Sequence, residues 1–194
     1  MSPQTKFEQW YATERRKRKI YVTSKDQQWA PLWKAIHWIL LVLTFGKQNK
    51  FYTHYTTTIG RTIFYPAGWR FENATYKNCV ILRHECDHVD WFLKFGLGNE
   101  WLGIFVVGLL YLLFPLPVCF AWFRYVFERV AYRTSYYAAL ELGLKPDIEH
   151  YIEQLTGPKY LWTWILKDQV RAWFRKHCRP DLLDQYSISW GGAK

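Results

Sequence analysis

The order of apolar and polar positions predicts a helix-rich α+β fold with one small β-hairpin. Residues 30–45 carry enough apolar side chains for a short helix. Their apolar run is shorter than the roughly 20 residues that a membrane-spanning helix needs. Residues 51–66 are rich in Thr, Tyr, Phe and Ile, a composition typical of strands. We therefore expect a hairpin that bends near Gly60 and ends at Pro66.

The next helix is predicted from residue 76 to residue 95, where Gly96 ends the pattern. Thr75 or Asn78 is placed to cap its first turn, because a short polar side chain there accepts hydrogen bonds from free backbone N–H groups. We expect the β-hairpin to pack beside this helix.

Residues 101–123 form an uncharged run that is long enough to be a transmembrane candidate. Pro115 and Pro117 lie in its second half, and proline interrupts a helix. We therefore predict an apolar helical hairpin, with one helix up to Phe114 and a second from about 118 to 142. Burial of this hairpin inside the protein is favoured over insertion into lipid.

The rest of the chain predicts helices over residues 146–155 and 159–177, followed by an irregular tail. These elements together predict three parts. They are a basic N-terminal arm over residues 1–28, a single domain over residues 29–180, and a C-terminal tail over residues 181–194.

Composition excludes a disordered chain and adds a basic surface. Half of the 194 residues are hydrophobic, a fifth are aromatic, and the net charge is +10. Basic residues cluster over residues 15–19 and again over residues 171–179. A basic excess favours an anionic partner such as a lipid surface, a nucleic acid or an acidic protein, although such runs are also common on solvated faces.

The four cysteines predict a reducing compartment. Cys79, Cys86, Cys119 and Cys178 match no metal-binding or disulfide spacing, so we expect free thiols. The N-terminus carries no apolar segment typical of a cleavable signal peptide. We therefore expect a cytoplasmic protein, with association to a membrane surface as the alternative.

Candidate chemistry lies in the string His84-Glu85-Cys86-Asp87-His88, an H-E-x-x-H pattern. His84 and His88 are four residues apart, so they share one face of a helix and can bind one zinc ion. Glu85 lies beside them and can take a proton from the water that such a metal holds. Two satisfied surface histidines would give the same string, but its apolar flanks favour a buried helix and hence a metal.

A catalytic zinc ion needs a third protein ligand. The metzincin pattern would require Gly at position 91 and His at position 94, and the chain has Trp91 and Lys94. The downstream acids that remain candidates are Asp90, Glu100, Glu128 and Glu141. Glu128 lies in a long apolar or basic helical segment, where either a metal or a salt bridge to a neighbouring arginine would satisfy it.

The order of strand, H-E-x-x-H helix and a later helix with a Glu-x-x-Ala segment resembles the gluzincin group of zinc metallopeptidases. The resemblance covers roughly residues 52 to 141. It implies His84, His88 and Glu128 as zinc ligands, Glu85 as general base, and hydrolysis of peptide bonds in a protein substrate. It also implies that the strand IGRTIFYP is an edge strand that binds substrate in extended form. The Asn-Glu-x-x-Ser-Asp pattern of thermolysin-like enzymes is absent, and the apolar hairpin is unusually long.

A group that stabilises the oxyanion of the reaction is also expected. Tyr132 follows Glu128 by four residues and therefore shares its helix face, so it is the best candidate. His54, His150 and His177 are weaker candidates.

Three alternatives to a cytoplasmic zinc metallopeptidase remain open. The same enzyme could associate with an anionic membrane through its hairpin and basic arm. The basic and aromatic residues could instead bind nucleic acid, although no recognisable RNA- or DNA-binding motif supports this. The zinc could also be a structural ion in a degenerate peptidase fold.

Overall fold

The computed structural model describes residues 1–43, 46, 49–112, 122–157, 166–183 and 186. Within these residues the chain forms eight α-helices and a small sheet of three strands. The predicted helix-rich α+β fold is therefore confirmed. The chain divides into two compact units, Met1–Val106 and Val107–Lys194.

The first unit contains most of the elements. They are α1 (Pro3–Arg18), β1 (Tyr21–Ser24), α2 (Ala30–Leu43), α3 (Phe51–His54), β2 (Thr57–Ile59), β3 (Thr62–Tyr65), α4 (Tyr76–Phe95) and the start of α5 (Glu100–Leu112). The second unit contains the end of α5, then α6 (Trp122–Glu141), α7 (Ile148–Thr156) and α8 (Lys167–His177). Short 3₁₀ turns lie at Phe71–Asn73 and Pro180–Leu182.

The predicted hairpin is β2 and β3, which pair antiparallel across the turn at Gly60 and Arg61. Gly60 has a φ of +58°, a conformation that favours glycine. β1 pairs parallel with β3, so the strand order is β1-β3-β2. β3 is therefore the central strand of the sheet.

The central strand is buried on both faces, as its run of large apolar residues requires. Phe64 packs against Trp33 of α2, with the ring centroids 4.8 Å apart. Tyr65 points to the opposite face, where it contacts Phe7 of α1 and donates a hydrogen bond to the backbone carbonyl of Asn78 in α4. α2 therefore covers one face of the sheet, and α1 and α4 cover the other.

This topology corrects the expected role of the strand IGRTIFYP. Half of that segment is β3, which has a neighbour on each side and cannot accept a further strand. The sequence shows the hairpin but not the parallel pairing with β1, because that partner lies 41 positions earlier (Tyr21 with Thr62). Among the described residues, β2 is the edge strand on the hairpin side.

The expected N-terminal arm also differs from the structure. Residues 3–18 form α1, which begins at the N-cap Ser2, and residues 21–24 form β1 of the sheet. Phe7, Trp10 and Glu14 lie on one face of α1 and are all buried. The apolar periodicity of this helix is weak, because a buried glutamate and a buried arginine share that face with the aromatic rings. The sequence pattern therefore did not indicate a buried face.

A buried network of charges fixes α1 on α4. The carboxylate of Glu14 binds the guanidinium groups of Arg18 and Arg83, the latter at 3.0 Å. Arg18 also donates two hydrogen bonds to Asp90, at 2.8 and 2.7 Å. Arg83 lies over the ring of Trp10. Arg18 belongs to the basic cluster over residues 15–19 and is buried, whereas the other residues of that cluster are exposed.

α4 begins and ends where the sequence predicts. Thr75 is the N-cap, and its side chain accepts from the Asn78 N–H while the Asn78 side chain accepts from the Thr75 N–H. These two residues form a capping box. After Gly96 the chain turns into α5, where Gly103 lies so close to the Phe92 carbonyl that a Cβ atom would stand 2.0 Å from its oxygen. α5 therefore leaves α4 through a tight, glycine-dependent bend.

Residues 51–54 form α3 rather than the start of a strand, so His54 lies on a helix and not on the hairpin. The carbonyls of Phe51 and Tyr55 converge on the ammonium group of Lys25, at 3.0 and 2.9 Å. A buried cation thus holds this turn of backbone, which the strand-like composition of the segment did not indicate.

The helices of the second unit agree with the sequence where they are described. α6 ends at Glu141, and the chain turns at Gly143, which has a φ of +69°. α7 confirms the helix predicted over 146–155, and α8 confirms the C-terminal part of the one predicted over 159–177. The predicted Pro115–Pro117 turn lies outside the described residues.

No single described helix is both long and apolar enough to cross a membrane. Taken together, Tyr76–Phe95 and Glu100–Leu110 reach the required length and composition, but the chain bends by 105° between them.

Lys25 is a fully buried cation beside the sheet. Its ammonium group lies over the rings of Phe51 and Trp33, at 3.8 and 5.1 Å from their centroids. Burial lowers the pKa of Lys25 to about 7, although the negative charge of Glu85 opposes this shift. The unfolded chain keeps the ordinary value of 10.5, so between these values the unfolded state binds more protons than the folded state. Lys25 therefore makes the protein more stable as the pH rises through this window.

We expect the substitution Lys25→Met to flatten the pH dependence of the free energy of unfolding. The parent should gain on the order of 1 kcal/mol per pH unit from Lys25 between about pH 7 and pH 10. The variant should lose that contribution, because methionine does not titrate. Urea unfolding at several pH values measures both slopes, and Lys77→Met, on the exposed side of α4, is the control. Equal slopes in Lys25→Met and the parent would contradict the lowered pKa.

Candidate metal centre

The H-E-x-x-H residues lie in the middle of α4, the helix that was predicted to carry them. His84 and His88 are one helical turn apart and half-buried. Their Nε2 atoms are 3.3 Å apart, and their rings meet at an angle of 70°. The two imidazoles therefore present their Nε2 atoms to the same point.

This separation fits two ligands of one zinc ion. Zinc–nitrogen bonds are about 2.0 to 2.1 Å long, and at a tetrahedral angle two such nitrogens lie roughly 3.3 to 3.4 Å apart. The observed distance of 3.3 Å falls within that interval. The same distance also permits a direct N–H···N hydrogen bond between the rings, so a metal measurement has to distinguish the two arrangements.

Two of the four candidate acids for the third ligand have other roles in the structure. Asp90 is exposed and receives both hydrogen bonds from Arg18. Glu100 accepts from the backbone N–H of Arg61 at 2.9 Å and lies against Gly60, so it closes the β2–β3 turn. Glu141 is exposed at the end of α6.

Glu128 is the remaining candidate, and it is buried in the middle of α6. His84, His88 and Glu128 each offer one ligand atom, and these three atoms all lie within 4.8 Å of one another. Two imidazoles and one carboxylate form a donor set that zinc accepts in catalytic sites. This group could therefore hold a metal ion, and elemental analysis identifies which metal it binds.

Glu85 is held in place by a residue that the sequence analysis missed. It is buried, and its Oε2 atom accepts a hydrogen bond of 2.7 Å from the hydroxyl of Thr58 in the edge strand β2. No other hydrogen bond to the Glu85 carboxylate is found among the described residues. Thr58 is the last residue of the run Thr56-Thr57-Thr58, and nothing in the sequence distinguishes it from the other two threonines before the position of β2 against α4 is known.

The predicted oxyanion stabiliser, Tyr132, is half-buried on α6. Its ring stacks on Tyr151 of α7, with the centroids 5.0 Å apart. Each of the three weaker candidates contacts a side chain of its own helix. His54 lies 2.8 Å from the hydroxyl of Thr53, and His177 stacks on Trp173. His150 lies 3.4 Å from the side chain of Gln154.

The described cysteines are free, as predicted. Cys79, Cys86 and Cys178 are all buried and form no disulfide. Burial raises the pKa of Cys86 to about 12, so this thiol, although inside the motif, stays protonated and belongs to the core. Cys119 lies outside the described residues.

Comparison with known proteins found no match among protein-family models, curated proteins or solved structures. The gluzincin resemblance therefore depends on the motif and the residues around it, and it stays a prediction.

We expect the purified protein to carry about one zinc ion per chain when no chelator and no histidine tag are used. Glu128→Ala and His88→Ala should each lose most of that zinc, because two ligands bind the metal more weakly than three. Elemental mass analysis measures the content, and Glu141→Ala on the same helix is the control. If the parent takes up no zinc even from excess, the histidines form only a hydrogen-bonded pair.

Proposed function

We propose that this protein is a zinc-dependent peptidase that hydrolyses peptide bonds in an extended protein segment. The observation that supports this most is the 3.3 Å approach of the His84 and His88 Nε2 atoms in one group with the Glu128 carboxylate. The two histidines flank Glu85, which is buried and hydrogen-bonded to Thr58. Together these residues provide a metal site and a general base.

The residues that would hold the ion are His84, His88 and Glu128, which leaves a fourth position open in a tetrahedral site. When bound there, zinc supplies a Lewis acid that polarises a carbonyl and makes water more acidic. The chain's own contribution is to fix the ligands on helices, which hold their side chains more rigidly than loops do.

Glu85 is the general base in this proposal. Its Oε2 atom is occupied by the Thr58 hydroxyl, so Oε1 is left to take the proton of the attacking water. The same carboxyl group then carries that proton to the leaving amine. Because Glu85 is buried, few bulk waters compete for its carboxylate.

The free edge of β2 is the proposed binding site for the substrate backbone. Ile59 and Thr62 close the two-residue turn of the hairpin and so exchange hydrogen bonds with each other. Hydrogen-bonded and non-hydrogen-bonded residue pairs alternate along an antiparallel pair of strands. The next pair contains Thr58 and is not hydrogen-bonded, so the N–H and C=O groups of Thr58 point away from β3. An extended peptide paired with this edge is recognised through its backbone. Its path runs beside Thr58, whose hydroxyl binds Glu85.

Glu85→Gln is expected to keep its zinc and to lose hydrolysis. Glutamine fits the same space but cannot accept the proton, so kcat/KM should fall by roughly 10²- to 10⁴-fold. Cleavage of a fluorescence-quenched, unstructured casein, read with metal content, measures both properties, and Glu8→Gln on the exposed side of α1 is the control. A variant as fast as the parent would exclude Glu85 as the base. A zinc-loaded parent that cleaves no unstructured protein would contradict the peptidase proposal and favour a structural zinc ion.

Thr58→Val is expected to lower kcat by roughly tenfold, which corresponds to the loss of one hydrogen bond to a charged group. Valine keeps the β-branched shape that suits the strand, so zinc content and fold should not change. Thr58→Ser should restore most of the rate because it restores the hydroxyl, and Thr57→Val is the control within the same strand. A rate in Thr58→Val equal to that of Thr57→Val would exclude a positioning role for Thr58.

A further inference from the structure

α2 exposes an apolar stripe where a soluble protein would place polar residues. Its inner side is anchored by Trp33, which is 1% exposed beneath the sheet. Its outer side carries Trp38, Ile39 and Val42, which are 64%, 57% and 69% exposed. These residues follow the i, i+1, i+4 spacing of one helix face, the pattern that normally packs into a core. The described residues place nothing over this face.

The first half of α5 shows the same property independently. Gly103 faces the Phe92 carbonyl of α4, so this side of the helix is closed. Trp101 and Phe105 lie on the opposite side, one helical turn apart, and are 79% and 67% exposed. Leu102, beside them, is 43% exposed. Soluble monomers seldom expose apolar patches of this kind unless the patch binds something.

The charges around these faces indicate what binds there. Residues 27–71, which contain α2, include five lysine and arginine residues and no acidic residue. In this segment Arg61 pairs with Glu100, and Arg70 pairs with Asp26. Lys34, in the first half of α2, and Lys50, in the loop after α2, are both exposed. Residues 101–127 also contain no acidic residue, and Glu100, which precedes them, is paired with Arg61. The exposed cations Lys34 and Lys50 therefore flank the apolar face of α2, and such a combination complements an anionic lipid surface.

We propose that the outer faces of α2 and of the first half of α5 bind the surface of an anionic lipid bilayer. α2 has 14 residues and is therefore roughly 21 Å long, against a hydrocarbon core of about 30 Å, so it lies in the interface and does not cross it. Trp38 and Trp101 are the residue type that prefers the boundary between headgroups and acyl chains. Lys34 and Lys50 reach the headgroups from the same segment.

The experiment is flotation of the full-length protein with vesicles of phosphatidylcholine alone and of phosphatidylcholine mixed with phosphatidylglycerol. We expect the protein to float with the mixed vesicles, more weakly with the neutral ones, and less at high salt. Trp38→Glu/Val42→Glu and Trp101→Glu/Phe105→Glu should each lower the affinity roughly tenfold or more, because each places two carboxylates in the interface. Tyr21→Glu, at an exposed aromatic residue of β1, is the control and should bind as the parent does.

Three results would overturn the proposal. The first is failure of the folded parent, checked by circular dichroism, to float with either vesicle. The second is a loss of binding in Tyr21→Glu equal to that in the two double variants. The third is a parent that sediments as a dimer without lipid and that Trp38→Glu/Val42→Glu converts to a monomer, since the face would then bind a second copy of this chain. Zinc content is read on the same samples, so failure of lipid binding stays distinguishable from failure of the metal site.

Discussion

The burial of strand β3 on both faces is the constraint on which the rest of the first unit depends. Phe64 must be covered on one side and Tyr65 on the other, because adjacent residues of a strand point in opposite directions. Trp33 of α2 meets the first requirement, and Phe7 of α1 together with the start of α4 meets the second. A helix on each face therefore follows from a strand of four residues, and the edge strand β2 is brought beside α4 by the same packing.

Within that arrangement, buried charges decide where α1 and α4 lie relative to each other. Glu14 is fully buried, and an ionised carboxylate is tolerated there only because Arg18 and Arg83 surround it. Such a network is sensitive to geometry in a way that apolar contact is not, so it sets the register between the helices. The register matters for chemistry because Arg83 directly precedes His84 in α4.

The candidate site combines one local and several distant contributions. The spacing of His84 and His88 brings two nitrogens together through helix geometry alone. Glu85 depends on Thr58, 27 positions earlier, which holds its carboxylate from the edge of the sheet. Lys25 acts on the same region, because it binds the carbonyls at the start of α3 and directly after its end, just before β2 begins. The proposed general base is therefore oriented by elements that the motif does not contain.

What the sequence determined by itself was local. The hairpin at Gly60, the capping box of Thr75 and Asn78, and the pairing of the two histidines depend on residues within a few positions of one another, where propensity and periodicity are reliable. Glu128 could be named among four acids because a buried carboxylate in an apolar helix requires a cation.

Only the tertiary structure decided which strand is central, that residues 3–18 form a packed helix, and that Thr58 contacts Glu85. These features come from pairings between distant segments. In α1, the buried face contains Glu14 and Arg18 beside Phe7 and Trp10. Because charged residues usually indicate an exposed face, the sequence did not predict that this face is buried. A charged side chain is placed inside a protein by its partners, and a sequence does not show those partners until the chain has folded.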